Sequence, residues 1–468
     1  MDLQQLFNTI VDFAKECGMD PKSNSNQKGN AIVRDNATGK QNNREEYLKG
    51  AYFGFIRDEE EYNGAFHDFS LAIFPQIDEK ACVIALGVGS LGFLNDYDIA
   101  SLPWVRRMFS KLRKEGRNTY FKNDFSDIES SSLDLITEIK NNYPDLKKVI
   151  DNYKKVLPAA EILDFSEEKN DEDNIETMKQ WVATYALMRN WPNKTQLKKV
   201  KEYLPKSQRK NLETEDIYKI LVKDRFVVLQ GAPGTGKTFS ALEVASKFDK
   251  IFFEQFHAET SFSDFIYGIR PKLKTESLAY EAKDGVLLEA IKDAKKDPNQ
   301  IVLLIIDEIN RANLSNVLGP VFYLFEKNAS NHSFTFKVGD EKIEEIPDNL
   351  YVIATMNTAD RSLAVVDFAL RRRFTWLTLR PHALKKDFQN EYFEDFDNIF
   401  QKYASDDELN LQPGQSYFIA KDEAEMKQRL EYELLPLIKE YLNEGYLVKA
   451  KDEFSNYFYN KLGVLMYE

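Results

Sequence analysis

Residues 225–239, Arg-Phe-Val-Val-Leu-Gln-Gly-Ala-Pro-Gly-Thr-Gly-Lys-Thr-Phe, constrain this chain more than any other stretch. The apolar run Phe226–Leu229 reads as a buried parallel strand, and it breaks into glycines before a helix resumes. Gly231, Gly234 and Gly236 let the intervening turn point backbone N–H groups inward at an anion, and a helix starting near Lys237 adds the positive end of its dipole. The pattern G-x-x-x-x-G-K-[ST] is complete. The expected phosphate-binding residues are therefore Gly231, Ala232, Pro233, Gly234, Thr235, Gly236, Lys237, Thr238 and Phe239, with Lys237 reaching the β- and γ-phosphates and the Thr238 hydroxyl ligating Mg²⁺.

A triphosphate with its magnesium also needs carboxylates, and a second run supplies them. Ile301-Val-Leu-Leu-Ile-Ile-Asp-Glu308 is apolar until it ends in two acids. Asp307 is then the metal-shell residue, and Glu308 stands where it can polarise an attacking water. A third run, Leu350–Thr355, leads into Met356 and Asn357. A polar residue ending a strand beside a phosphate loop reads as a γ-phosphate sensor, so Asn357 is assigned to the γ-phosphate or the lytic water. Asp367-Phe-Ala-Leu-Arg-Arg-Arg-Phe374 closes a helix expected to begin near Ser362. Guanidinium groups beside a hydrolysis site stabilise charge on the γ-phosphoryl oxygens, often from a neighbouring subunit, by about 10³-fold or more in rate. As a basic helix end alone they would contribute only about 0.3–1 kcal/mol.

Three segments, Gln255–Gly268, Ile305–Ser315 and Met356–Asp367, resemble the McrB family of AAA+ motors from modification-dependent restriction systems, and the string Asn-Thr-Ala-Asp-Arg-Ser at 357–362 is the most specific part. The resemblance implies a homo-hexameric ring, GTP (or ATP) as substrate with Mg²⁺ as cofactor, and a nuclease partner of the McrC type. It also implies catalytic roles for Asn357, Asp360 and Arg361, and for Arg372 and Arg373 at the subunit interface. One departure is visible: the family's more usual Gly-His-Ser-Tyr-Phe stands here as Gly414-Gln415-Ser416-Tyr417-Phe418, which removes any role for that histidine.

A chain of 468 residues with 43% hydrophobic content has ample material for two or three packed domains. A net charge of −13 excludes a uniformly basic nucleic-acid binder. The sign reverses locally between Arg106 and Lys122, where Trp104, Tyr120 and Phe121 are available for stacking. This is the candidate DNA contact, set against the plain alternative of a solvated helix face. Cys17 and Cys82 make no disulfide framework, and four histidines give no zinc spacing, which fits a reducing cytoplasm. The opening residues lack a signal sequence and no stretch reaches ~18 apolar residues, so a soluble cytoplasmic protein with no membrane contact is expected.

The expected architecture is α/β: an AAA+ phosphate-loop NTPase with a parallel sheet and a C-terminal helical lid, preceded by a separate α+β N-terminal domain. Residues 1–165 form that first domain, for DNA or target recognition. It contains an amphipathic helix over 2–19, a polar loop over Pro21–Asn43, strands over Tyr47–Ile56, Phe66–Pro75 and Ala81–Val88, and helices filling 129–165. Residues 166–212 are a helical linker, 213–380 the nucleotide-binding core, and 381–468 the lid and C-terminal segment, with one helix over Met426–Leu442. The function expected is NTP hydrolysis driving DNA translocation or remodelling in a restriction or anti-phage complex. Its rivals are a MoxR-like remodeller of proteins driven by ATP and a nucleotide-dependent scaffold that recruits an effector. Neither Asp68 nor Asp145 has an E-x-K partner on an adjacent strand, so cleavage is assigned to another polypeptide.

Overall fold

The computed structural model describes every residue except 1–2, 23–26, 39, 41–42, 63, 79, 115–116, 118, 129–138, 140–141, 168–169, 205–210, 272–279, 327–335, 339–340, 360–367 and 468. The chain divides into two compact units, Met1–Gln208 and Arg209–Glu468. Among the described residues no helix is long and apolar enough to cross a membrane.

The first unit is built on six strands, β1 (Ala31–Asp35), β2 (Phe53–Arg57), β3 (Phe69–Pro75), β4 (Ala81–Val88), β5 (Thr119–Phe121) and β6 (Ala159–Asp164), in the antiparallel order β1-β2-β3-β4-β6-β5. Strand β4 is buried along its whole length because both faces of the sheet are covered. Its alternate residues Cys82, Ile84 and Leu86 join a core with helices Leu3–Glu16 and Asp171–Met188. Val83 and Ala85 meet helix Pro144–Tyr153 on the other side. The period of two thus appears as two cores rather than as an apolar and a polar face.

Three differences from the sequence reading have physical causes. The expected polar loop over Pro21–Asn43 contains β1, since Ala31 and Ile32 are buried once paired with β2. The expected helices over 129–165 give way at β6, a run of helix formers that lies between β4 and β5. Tertiary pairing overrides propensity there, and Glu161, fully buried, is held by Arg117 and by the indole N–H of Trp181 at 2.9 Å. Burial pushes the Glu161 carboxyl above its usual range against both of these partners. Finally, 166–212, expected as a linker, contributes Met178, Trp181, Tyr185 and Val200 to the core of the first unit.

Trp181 packs on Phe109 with ring centroids 5.5 Å apart and the rings tilted by 57°, and it is fully buried. Trp181→Ala removes both the ring and a partner of Glu161, so the first unit should lose roughly 3–5 kcal/mol. Urea unfolding of the full chain would show this as an early transition; a loss under about 1 kcal/mol would contradict the packing described.

The basic stretch Arg106–Lys122 requires a correction. Lys122 is 2% exposed, and its ammonium donates to the carbonyls of Ile128 and Lys155. Arg117 pairs with Glu161 and Asp173, Lys114 lies 3.5 Å from Asp173, and Arg113 covers the Phe121 ring at 5.6 Å. Trp104, Tyr120 and Phe121 are partly buried against the unit's own cores. Lys114 and Arg117 neutralise acids at the start of helix Asp171–Met188 and at β6, and Lys122 is engaged by two backbone carbonyls, so these three do not form an open phosphate-binding face.

In the second unit come β7 (Phe226–Gly231), β8 (Lys250–Gln255), the antiparallel pair β9 (Tyr267–Pro271) and β10 (Tyr280–Asp284), β11 (Val302–Asp307), the short hairpin β12 (Phe336–Val338) and β13 (Glu341–Ile343), then β14 (Leu350–Asn357) and β15 (Thr375–Thr378). Five of them form a parallel sheet in the order β15-β7-β14-β11-β8. The C-terminal ends of β7, β14 and β11 therefore lie side by side, where parallel α/β sheets bind ligands. Register fixes which ends meet: Asn357 pairs with Gly231, and Asp307 with Gln255.

The remainder, from helix Asn390–Tyr403 to helix Lys451–Leu462, packs around its own aromatic core of Phe396, Phe400, Phe418, Phe454 and Phe458. The single helix expected over Met426–Leu442 is helical at Glu423–Arg429 and Leu435–Asn443, with a π turn at Leu430–Leu434 between them. Pro436 has no N–H to give and crowds the preceding turn, which a π turn relieves.

Candidate nucleotide site

Strand β7 ends at Gly231, and the next helix, Lys237–Ala245, begins at Gly236, whose φ of 84° is left-handed. A side chain at Gly231 would place its Cβ 2.4 Å from the Leu379 carbonyl oxygen. The turn is thus closed to anything larger than glycine at its entrance, which keeps the loop tight around the space above it.

Lys237 is 6% exposed, and its Nζ donates to the carbonyls of Gly231 at 3.1 Å and Ala232 at 2.9 Å and to Asn357 Oδ1 at 2.6 Å. Asn357 then donates from Nδ2 to Glu308 Oε1 at 2.8 Å. The loop cation, the residue ending β14 and the acid that follows β11 form one chain of hydrogen bonds. Beside it, the Thr238 hydroxyl donates to Asp307 Oδ1 at 2.8 Å. A hydroxyl and a carboxylate oxygen at that separation are the hard donor pair that suits Mg²⁺, and Asp307 is 5% exposed.

Glu308 has φ 54° and ψ 47°, a left-handed conformation that costs a non-glycine residue roughly 1–2 kcal/mol. Its backbone N–H donates to Thr355 Oγ1 at 3.0 Å, and the same hydroxyl donates to Asp307 Oδ1 at 2.7 Å. Thr355 therefore holds both acids, turning Glu308 away from Asp307 toward Asn357. Strain maintained in this way marks a site where side-chain direction matters.

Of the expected residues, Lys237, Thr238, Asp307, Glu308 and Asn357 are brought together. Phe239 is 65% exposed on the helix surface, apart from the cradle contacts. Asp360 and Arg361 lie outside the described residues. Arg372 and Arg373 close helix Phe368–Arg373, and both pair with Glu326 of their own chain. Arg373 is 7% exposed and covers the Phe322 ring. The Arg372 side chain is largely solvent-facing.

Sequence reasoning missed several members. Thr355 was visible as a lone hydroxyl inside an apolar strand. Gln255 Nε2 reaches Asp307 Oδ2 at 3.3 Å, and Asn310 Nδ2 reaches the Asn357 carbonyl at 3.2 Å. Most distant in sequence is the loop at 414–416, which covers the outer side of the phosphate loop. Gly414 N–H donates to the Pro233 carbonyl at 2.8 Å, Gln415 Nε2 to the Thr235 carbonyl at 2.8 Å, and Ser416 N–H to the Gly234 carbonyl at 3.0 Å.

This sheet order, with a phosphate loop, an acid pair and a polar strand end converging on one cleft, defines a phosphate-loop NTPase domain of the AAA class. The family model of the AAA domain (dynein-related subfamily) matches residues 226–374. The resemblance to McrB holds: the chain is 42% identical over 186 residues to the type IV methyl-directed restriction enzyme EcoKMcrB subunit of Escherichia coli, across 38% of this chain and 40% of that one. It is also 29% identical over 204 residues to the type II restriction enzyme BsuMI component YdiS of Bacillus subtilis, across 34% of this chain and 58% of that one. The chain thus spans between two fifths and three fifths of the length of these relatives. A solved structure from Cytophaga hutchinsonii, provisionally an ATPase, is matched at 20% identity over 46% of this chain and 56% of that one with a TM-score of 0.27, too slight to bear on the fold.

Proposed function

We propose that this chain is the NTPase subunit of a restriction or anti-phage complex, acting in the cytoplasm as a homo-hexameric ring that hydrolyses GTP, or ATP, and uses the energy to translocate or remodel DNA for a McrC-type nuclease partner. The observation that carries the reading is the convergence of Lys237, Asn357 and Glu308 in one hydrogen-bonded chain beside the Thr238–Asp307 pair. In this reading Lys237 and the amides of 231–238 bind the phosphates, Thr238 and Asp307 hold Mg²⁺, and Glu308, oriented by Asn357, accepts the proton of the attacking water. The metal would neutralise charge on the β- and γ-phosphate oxygens. Phosphate-loop strands buried at the centre of the sheet and a helical segment at 390–462 acting as lid complete the motor.

Turnover of GTP and ATP with Mg²⁺, with and without DNA and a McrC-type subunit, tests this. Mg²⁺-dependent hydrolysis that rises with the partner is expected; hydrolysis of neither nucleotide under any of these conditions would refute the reading.

Arg372 is the arginine proposed to act on the neighbouring subunit's γ-phosphate. Arg372→Ala should lower turnover in the ring by about 10³-fold with nucleotide affinity nearly unchanged. Mixing Arg372→Ala with Glu308→Gln subunits should restore part of the activity, because some sites then combine an intact Glu308 with a neighbour's intact Arg372. Mixed rings as inactive as either parent ring would exclude action in trans.

A further inference from the structure

We infer that the loop Gly414–Ser416 is a positioning device that aims the phosphate-binding amides, and that Gln415 is its adjustable contact; this rests on the nucleotide reading of the cleft. The three hydrogen bonds described above engage consecutive carbonyls, those of Pro233, Gly234 and Thr235. In a trans peptide the carbonyl of one residue and the N–H of the next point in opposite directions. Holding those three oxygens outward therefore turns the N–H groups of Gly234, Thr235 and Gly236 the other way, toward the cradle. Among the described residues none accepts from those three N–H groups.

The contact is close as well as directional. A Cβ on Gly414 would sit 2.1 Å from the Gly234 carbonyl carbon, and a Cβ on Gly234 would sit 2.5 Å from Ser416 Oγ. Each loop thus requires glycine where it faces the other. Two of the three donors are backbone groups; the third belongs to Gln415, 7% exposed, whose Oε1 is buried without a partner among the described residues. Phe418, a few residues on, belongs to the aromatic core of the helical segment. Phosphate affinity is thereby tied to the placement of residues 390–462, so that a displacement of that segment frees the three peptide planes and weakens the cradle without touching Glu308 or Asn357.

A role confined to amide orientation separates binding from chemistry. In the full chain, Gln415→Met removes the donor at similar size, and Gln415→His returns a ring N–H that can reach the same carbonyl. Expected for Gln415→Met is a rise of about fivefold to tenfold in the Kd for GDP with Mg²⁺ and in KM for the triphosphate, with kcat within about twofold of the parent. Gln415→His should recover most of the loss, and thermal unfolding without nucleotide should be unchanged for both. Unchanged Kd and KM in Gln415→Met would overturn the inference, as would a fall in kcat accompanied by a lowered unfolding temperature, which is the signature of a merely structural contact. Lys237→Met is the control: if it binds nucleotide as the parent does, the nucleotide reading itself fails, whereas its failure to bind beside a normal Gln415→Met refutes only the positioning role.

Discussion

Glu308→Gln is expected to bind nucleotide and assemble as the parent does while turning over about 10²- to 10⁴-fold more slowly. The substitution is nearly isosteric, so the side-chain oxygen that accepts from Asn357 at 2.8 Å is retained. The Glu308 N–H bond to Thr355 is a backbone contact and is also untouched, so the left-handed residue stays where it is. What disappears is the basic oxygen able to take a proton from water, an interaction made only on the way to the transition state. Such a loss lowers kcat and kcat/KM together and leaves Kd alone. Single-turnover hydrolysis measured beside equilibrium binding separates the two. Retained turnover would remove Glu308 from the chemistry, and weakened binding would mean that the carboxylate serves the Mg²⁺ shell along with Asp307.

The parts of this site that could be read from the sequence are those whose local chemistry and local structure coincide. The strands of a parallel sheet buried on both faces are written as uninterrupted apolar runs, and a run that ends in Gly231, Asp307 or Asn357 announces both the strand and its functional tip. Thr355 was passed over because one hydroxyl in an apolar run does not say which way it points; only the β11–β14 register places it over Asp307. Gln415 escaped because its partner, Thr235, is 180 residues away in the chain.

The first unit was harder to read for the same reason. Strand β6 is rich in residues that favour helices, Ala159, Ala160, Glu161 and Leu163, and it is a strand because β4 and β5 lie on either side. The stretch 106–122 shows an excess of positive charge in the sequence because the acids that pair with Lys114 and Arg117, Glu161 and Asp173, come much later in the chain. Charge read locally counts donors and misses their counterions. Arg373 is the converse case: in the sequence it is equivalent to Arg372, but the helix turns it inward onto Phe322 and Glu326.

Lys237→Met should remove nucleotide binding almost entirely, with a rise of about 10²- to 10³-fold in Kd, because a charge-assisted contact to phosphate contributes roughly twice what a neutral hydrogen bond does and this one lies in a water-poor cleft. Three acceptors of Nζ, two carbonyls and an amide oxygen, are neutral. They hold the ammonium in place but supply little compensation for its desolvation, which an incoming phosphate would supply. The substitution removes a buried charge along with these hydrogen bonds, and the two effects oppose one another. Without nucleotide the unfolding temperature should consequently move by only a few degrees in either direction. The parent, at a nucleotide concentration of 100 times Kd, should gain about 2.7 kcal/mol of stability by linkage, and the variant at the same concentration at most about 0.4 kcal/mol. Thermal unfolding with and without Mg²⁺-nucleotide reads the contrast directly. A variant that shows the parent's full ligand-induced shift would mean that the cradle at 231–238 is not where the phosphates bind.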